Sequence, residues 1–251
     1  MSAFIYNERY YGDYREHLSG YEIARWKALE HFITHVLKLK SSEEVLDYGA
    51  GSGLYVNLWE KVFPKAVLNF CDISPVAIEK LIAKYPRHTE RCSLMSNDIA
   101  NLGDNTFDVI VSVEVMEHVD NLALYLQDIY KLLKPGGYFI WTTPCANSLS
   151  IEHIYSLLTG KIERTSEGFR KWTWEDPTHL RRLKSIEIKR LLKQHGFSDV
   201  YFRFRSHFFS FFCTYLPTNR AQKLRDKLMT LDYSLFRNLP NGASMIGGAK
   251  K

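Results

Sequence analysis

Cysteine is sparse in this chain: Cys71, Cys92, Cys145 and Cys213 are its only four. They stand far apart with no Cys-x-x-Cys pair, so neither a zinc site nor a disulfide framework is expected, and a reducing, cytoplasmic setting is the natural one. Long apolar runs are missing too. None approaches the roughly 18 residues needed to cross a bilayer, and the stretch from Met1 to Gly20, rich in Tyr, Arg and Glu, lacks the apolar core of a secretion signal. Blocks of Lys or Arg are absent, and the net charge of +5 is modest for 251 residues. Nucleic acid is therefore not an expected partner. No internal repeat and no low-complexity linker interrupts the chain, which is long enough to bury a substantial core as one domain with appendages.

What is present is an alternation of strands and helices. A helix with Ile23, Trp26, Leu29, Phe32, Ile33 and Val36 on one face is predicted over 21–39, followed by strands at 44–48 and 67–71 with a helix at 54–63 between them. A helix at 75–84 opens with Ser74 as N-cap and Pro75 at its first position. Asn97-Asp98-Ile99 closes a weaker third strand, and the apolar run 107–113 is a buried fourth. The amphipathic stretch 122–133 stops at Pro135-Gly136-Gly137, ahead of a strand at 138–142. A helix at 185–195 leads through Gly196 into the alternating strand 197–205, and 244–249 reads as a last strand. Such alternation implies a parallel sheet with helices on both faces and a ligand beyond the carboxyl ends of the strands.

The stretch Val45 to Gly53 is the sharpest motif, a short apolar strand that runs into a turn built from glycines. Such a turn brings backbone N–H groups and a helix start against a ligand with no Cβ in the way. The spacing is Gly-x-Gly-x-Gly, and Leu54 stands where a dinucleotide fingerprint needs its third glycine, which argues against NAD. Asp47 before the turn and Asp72, about twenty residues on at the end of the next apolar run, complete a nucleoside-binding βαβ pattern. These residues resemble the class I S-adenosylmethionine (SAM)-dependent methyltransferases, over roughly residues 20–205.

The resemblance implies a Rossmann-like, doubly wound α/β fold with a seven-stranded, mostly parallel sheet whose last strand is antiparallel. It divides the chain into an N-terminal helical lid (1–40), a SAM-binding core (41–206) carrying a substrate loop (144–184), an aromatic and basic insertion (207–243) and a terminal core strand (244–251). SAM is the implied cofactor. Asp47, Gly49, Gly51 and Gly53 would surround its methionine part, with Arg25 as partner for its carboxylate. Asp72, beside Ile73, would accept both ribose hydroxyls; Asp98 and Ile99 would face the adenine, and Glu114 would touch the cofactor. Any one of these Asp residues is also explained as the cap of a turn. Three of them at three successive strand ends are not so easily explained.

After the fourth strand, Val113-Glu114-Val115-Met116-Glu117-His118-Val119 resembles the ExxEHV signature of small-molecule O-methyltransferases of the ubiquinone-biosynthesis type. A carboxylate beside a histidine suits removal of a proton from a hydroxyl. The other reading makes Glu117 and His118 the first turn of a helix. In some relatives this motif holds a divalent metal, whose ligands here would be Glu114, Glu117 and His118. The Asp176-Pro177-Thr178-His179-Leu180 piece resembles a His-containing loop of the same family, with His179 as a further acid/base group or as a helix cap. The catalytic candidates are thus His118, Glu117 and His179.

The Asn/Asp-Pro-Pro-Tyr/Phe tetrapeptide of enzymes that methylate exocyclic amines of bases is absent, Val115-Met116-Glu117-His118 standing in its place. Thr143-Pro144-Cys145 invites comparison with cytosine-C5 enzymes, yet a single Cys after a strand is far more often core. The aromatic run 207–216 and the basic stretch after it could cover a substrate, form a homodimer or touch a membrane surface through 207–228. Tyr6, Tyr10, Tyr11 and Tyr14 could close over the cofactor. The leading expectation is methyl transfer to a hydroxyl of a small molecule. A non-catalytic SAM-binding or partner-binding module is the alternative, and RNA methylation comes third.

Overall fold

The structure is a computed structural model that describes residues 3–11, 20–39, 42–95, 102–213 and 222–251. Its strands are β1 (Glu44–Tyr48), β2 (Val67–Asp72), β3 (Cys92–Leu94), β4 (Phe107–Val113), β5 (Leu133–Pro144), β6 (Ile162–Arg164), β7 (Arg170–Trp172), β8 (Ser198–Arg205) and β9 (Ser244–Lys250). Seven of them form one sheet in the order β3-β2-β1-β4-β5-β9-β8, and β6 pairs with β7 in a separate hairpin. Only β9 runs against its neighbours in the large sheet. This is the doubly wound, mostly parallel arrangement expected from the resemblance.

The central strands carry apolar side chains on both faces, as a parallel sheet covered on both sides requires. Val45, Val109, Val111 and Ile140 pack with Leu29, Phe32, Trp59 and Phe70 on one side. Leu46, Ile110, Phe139 and Trp141 pack with Leu126, Ile129 and Leu192 on the other. The covering helices are α1 (Ala3–Tyr11), α2 (Gly20–His31), α3 (Val56–Val62), α4 (Pro75–Lys84), α5 (Leu122–Leu132), α6 (Ile151–Leu158), α7 (Ser185–Gln194), α8 (Phe209–Cys213) and α9 (Gln222–Phe236). Side-chain oxygens start three of them: Ser74 accepts from Ala77 N (3.2 Å), Asn121 from Leu124 N (2.9 Å) and Ser150 from His153 N (3.0 Å). Each satisfies a backbone donor that the first turn leaves unpaired.

Three predicted elements differ in detail. The helix expected over 21–39 is α2 followed by a π-helical turn, Phe32–Val36, in which Leu37 N donates to Phe32 O at 2.9 Å. The strand beside β2 is Cys92–Leu94, whereas the expected 97–99 lies outside the described residues. β5 begins at Leu133 rather than 138: Leu133 faces Phe107, and the register then shifts so that Tyr138 faces Val109. The Pro135-Gly136-Gly137 stretch is therefore an irregularity within the strand rather than a gap before it. Beyond the sheet, α9 lies on α2, with Tyr233 OH 3.2 Å from His31 Nδ1. The aromatic run supplies Phe208 and Phe209, whose rings meet Phe236 of α9.

At the centre of β9 a glycine is obligatory for a packing reason. A Cβ at Gly247 would lie 2.0 Å from Cζ2 of Trp141, a fully buried ring. Gly247→Ala is expected to destabilise the protein by at least about 2 kcal/mol through overpacking, read as a lower urea midpoint at unchanged m-value.

Candidate active site

The glycine turn follows β1 at the carboxyl edge of the sheet, where the strand order reverses between β2 on one side and β4 on the other. Crevices of this kind are the usual ligand sites of open α/β sheets. Gly49 and Ala50 donate their N–H groups to Cys71 O at 2.8 and 3.0 Å, which folds the turn back on β2. Gly49 and Gly51 adopt φ values of +86° and +56°. A Cβ would meet the Val115 side chain at the first and the Tyr10 hydroxyl, 2.5 Å away, at the second.

Asp72 fixes this turn. Its Oδ2 accepts from Gly51 N at 2.8 Å and its Oδ1 from Ser74 N at 2.9 Å. A carboxylate has about four lone-pair sites, so two hydrogen bonds leave acceptor capacity for a diol. Burial raises its pKa, opposed by these backbone donors. Beside it opens a cavity of about 250 Å³, lined among others by Tyr6, Tyr10, Gly49, Asp72, Ile73, Glu114 and His118.

Asp47, Gly53 and Arg25 do not line that cavity. Asp47 is buried behind the turn, where its Oδ2 accepts from Trp59 Nε1 at 2.6 Å and anchors α3. Burial pushes its pKa up to about 7, with the Trp59 bond working in the opposite direction. Gly53 faces the side chains of Tyr85, Leu81 and Val56. Arg25, 3% exposed, pairs with Glu114 Oε2 at 2.9 Å, and its Nη1 donates to Tyr55 OH at 3.3 Å. Asp98, Ile99 and Tyr14 lie outside the described residues.

The end of β4 turns sharply. Glu114 has φ +56°, rare for a residue with a side chain. Its N–H donates to Thr142 O at 3.0 Å, its Oε1 accepts from Thr142 Oγ1 at 2.8 Å, and Arg25 takes the other oxygen. This engagement corrects the expected metal set, because Glu114 is held by Arg25 and Thr142. The residues that gather instead are Glu117, His118 and His179, each offering a ligand atom within 4.8 Å of the others. The missing signal in the sequence was distance along the chain, since His179 arrives from a loop sixty residues on.

Within this trio the hydrogen bonds decide protonation. Nδ1 of His118 donates to Thr178 O at 2.9 Å, which leaves Nε2 as the basic nitrogen, 4.0 Å from Glu117 Oε1. Glu117 is fully buried; its Oε2 accepts from Thr143 Oγ1 at 3.1 Å, and its Oε1 has no hydrogen-bond partner among the described residues. Burial first, and the Glu114 charge second, raise its pKa well above the usual carboxylate range, with His179 opposing. The His179 ring lies 4.8 Å from that of His118, and its Nδ1 is 3.6 Å from Glu175 Oε2. Two imidazoles and a carboxylate can move a proton or ligate a divalent ion.

α1 ties these parts together, and two of its tyrosines, Tyr6 and Tyr10, line the cavity. Asn7 Oδ1 accepts from Ser74 Oγ at 2.7 Å, and Tyr6 packs edge-on against His118 with ring centroids 5.9 Å apart. Arg9 forms two hydrogen bonds with Asp176, at 2.8 and 2.5 Å, three residues before His179.

Comparison with known proteins agrees with this geometry. The family described as "Methyltransferase domain" matches residues 14–201. A malonyl-[acyl-carrier protein] O-methyltransferase of Priestia megaterium is 33% identical over 100 residues, 39% of this chain and 36% of that protein. The mitochondrial ubiquinone biosynthesis O-methyltransferase of Rattus norvegicus is 28% identical over 156 residues, 58% of this chain and 43% of that one. The chain thus spans less than half the length of either relative. In fold it is similar to a SAM-dependent methyltransferase of Thermotoga maritima described as a "possible histamine N-methyltransferase", with a TM-score of 0.61, 17% identity and 99% of both chains covered.

The raised pKa of Asp47 has a measurable consequence. Without ligand, the folded protein holds a proton up to about pH 7 that the unfolded chain releases near 3.8, so this group's contribution to stability falls as pH climbs through that window. Asp47→Asn keeps an acceptor for Trp59 and removes the titration. Urea unfolding of the variant at pH 5 and pH 8 should show a smaller loss of stability with pH than the parent, the difference amounting to at most about 3 kcal/mol.

Proposed function

The chain belongs to the methyltransferase-domain family, and we propose on that footing that it binds SAM beside the glycine turn and transfers the methyl group to a hydroxyl oxygen of a small molecule. The observation that carries this reading is the pairing of Asp72 and Gly51 across the turn, which leaves a buried carboxylate with acceptor capacity at the wall of a cavity. The O-methyltransferase names of both relatives support the choice of oxygen.

The cofactor supplies an electrophilic methyl group on a sulfonium. The chain's own residues have three tasks. Asp72 accepts the ribose hydroxyls, and the glycine turn lets the amino-acid part approach the backbone. Tyr6, Val115 and Val119 narrow the cavity in front of His118 and limit water. His118 Nε2 takes the acceptor's proton as the oxygen becomes nucleophilic, and the Nδ1 bond to Thr178 O holds the ring in the tautomer that makes this atom basic. Glu117, buried and adjacent, stabilises the imidazolium that results in the fraction of molecules in which its carboxyl is ionised.

A second reading draws on the unpartnered Glu117 Oε1 and the closeness of His118 and His179. A divalent ion on these three side chains would lower the pKa of the acceptor hydroxyl directly.

Two experiments test the reading. Calorimetric titration with SAM should give saturable binding that Asp72→Ala weakens by roughly tenfold or more, given the charge-assisted bonds lost; no binding at millimolar SAM would overturn the proposal. His118→Ala should lower turnover roughly 10²-fold at nearly unchanged SAM affinity. Loss of parent activity on chelation, restored by a divalent ion, would favour the metal-bound arrangement, while retention of full activity by His118→Ala would remove this residue from the chemistry.

A further inference from the structure

Beyond β8 and β9, on the same carboxyl edge as the cofactor cavity, lies a second cavity of about 410 Å³ between α2, α6, α8 and α9. Tyr21, Tyr155 and Trp174 contribute to its lining, and Arg225, Ser206 and Ser210 are polar groups in it. Ser206, Ser210 and Met229 also border a small adjoining space that Arg205 lines. The two spaces together form one recess with a charged floor and an aromatic mouth, since Tyr155 and Trp174 are each more than two-fifths exposed.

Arg205 is the unusual member. It is 3% exposed, its Nη1 is buried without a hydrogen-bond partner, and it forms no ion pair among the described residues. Its neighbour is the ring of Tyr21, 4.7 Å from the guanidinium carbon. A buried guanidinium normally has a carboxylate to match it, because an ion removed from water without one is costly. The second cation, Arg225, also has a buried Nε without a partner.

The carboxylates of the recess are already engaged. Asp232 accepts from His207 Nδ1 at 3.1 Å and from the backbone N–H groups of His207, Phe208 and Phe209. Glu152 accepts from Arg182 Nη2 at 2.7 Å. What the recess offers a ligand is therefore positive charge, N–H donors and hydroxyls at its depth, with ring faces and edges nearer solvent. That combination fits a carboxylate or phosphate carried on an apolar or aromatic body.

The recess is also connected to the reaction edge. Tyr21 lies against Arg25 as well, 5.0 Å from its guanidinium carbon, and Arg25 holds Glu114 at the wall of the cofactor cavity. Trp174, at the mouth, is five residues before His179 on the same loop. We propose that this recess is the acceptor's anchoring subsite, and that Arg205 and Arg225 bind an anionic group of the methyl acceptor remote from the hydroxyl that is methylated. This inference rests on the methyltransferase reading for its meaning, yet its binding chemistry is separable from it.

The test uses the full chain and three probes that share one ring: phenyl phosphate, benzoate and phenol, titrated by ligand-observed NMR alongside calorimetry with S-adenosylhomocysteine. Saturable binding of an anionic probe at least tenfold tighter than phenol, lost in Arg205→Met and in Arg225→Met at unchanged S-adenosylhomocysteine affinity, is the expected result. Preference between the two anions then tells phosphate from carboxylate. Should Arg205→Met fail to fold, the variant of the half-buried Arg225, Arg225→Met, and the phenol comparison decide alone. Equal binding of phenol and the anions, no anion binding by a protein that binds S-adenosylhomocysteine, or anion binding unaffected by the folded arginine variants would overturn the proposal. Failure of S-adenosylhomocysteine itself to bind would instead count against the cofactor reading.

Discussion

The buried ion pair between Arg25 and Glu114 is the interaction on which the functional edge of the molecule depends. Glu114 ends β4 in a left-handed backbone conformation that a side chain tolerates poorly. That conformation persists because the N–H and both carboxylate oxygens of the residue are engaged, the N–H and Oε1 by Thr142 and Oε2 by Arg25. The kink sends Val115 over Gly49 and brings Glu117 and His118 to the loop that carries Thr178 and His179. Arg25, for its part, fastens α2 to the sheet edge and positions Tyr21 against the second recess. Removing either partner would leave the other as an uncompensated buried charge, a loss of about 3–5 kcal/mol in comparable cases.

Electrostatics around this pair are arranged in layers. Asp47 sits buried behind the turn, and burial pushes its pKa up to about 7, so it is only partly protonated near neutral pH. Asp72, also buried, receives two backbone N–H donors that favour its charged form. Glu117 is pushed toward the neutral form by burial and by the charge of Glu114. Three carboxyl groups within one edge thus receive different environments, and only the one at the cavity wall is both well solvated by donors and open to a ligand.

Most of the sheet was legible from local pattern, because β1, β2 and β4 are rich in apolar residues and Ser74-Pro75 is an unambiguous helix start. The glycine turn and Asp72 could be read for a similar reason: the constraint that selects them, close backbone approach, acts within a few residues. The rest depends on side chains distant in sequence. Arg25 was assigned to the cofactor because nothing local shows that Glu114 claims it. Glu114 was grouped with Glu117 and His118 through the motif they share with the family, whereas its carboxylate is engaged by Arg25 and Thr142. Strand β5 was begun too late because Pro-Gly-Gly reads as a stop, although a bulge lets pairing continue through it. The β6–β7 hairpin and the polar contacts that Asn7 and Arg9 make from α1 carry no periodic signal strong enough to predict.

One short helix therefore has a dynamic consequence larger than its size. α1 touches Ser74 beyond β2, Gly51 in the turn, His118 after β4 and Asp176 in the distal loop. None of these anchors is a large apolar contact, and each alone is a modest hydrogen bond, ring contact or partly exposed ion pair. Because one rigid element bears them all, they break and re-form as a set. An occupant of the space beneath would then leave through a single detachment of α1, which a raised ionic strength would make easier by weakening the Arg9–Asp176 link.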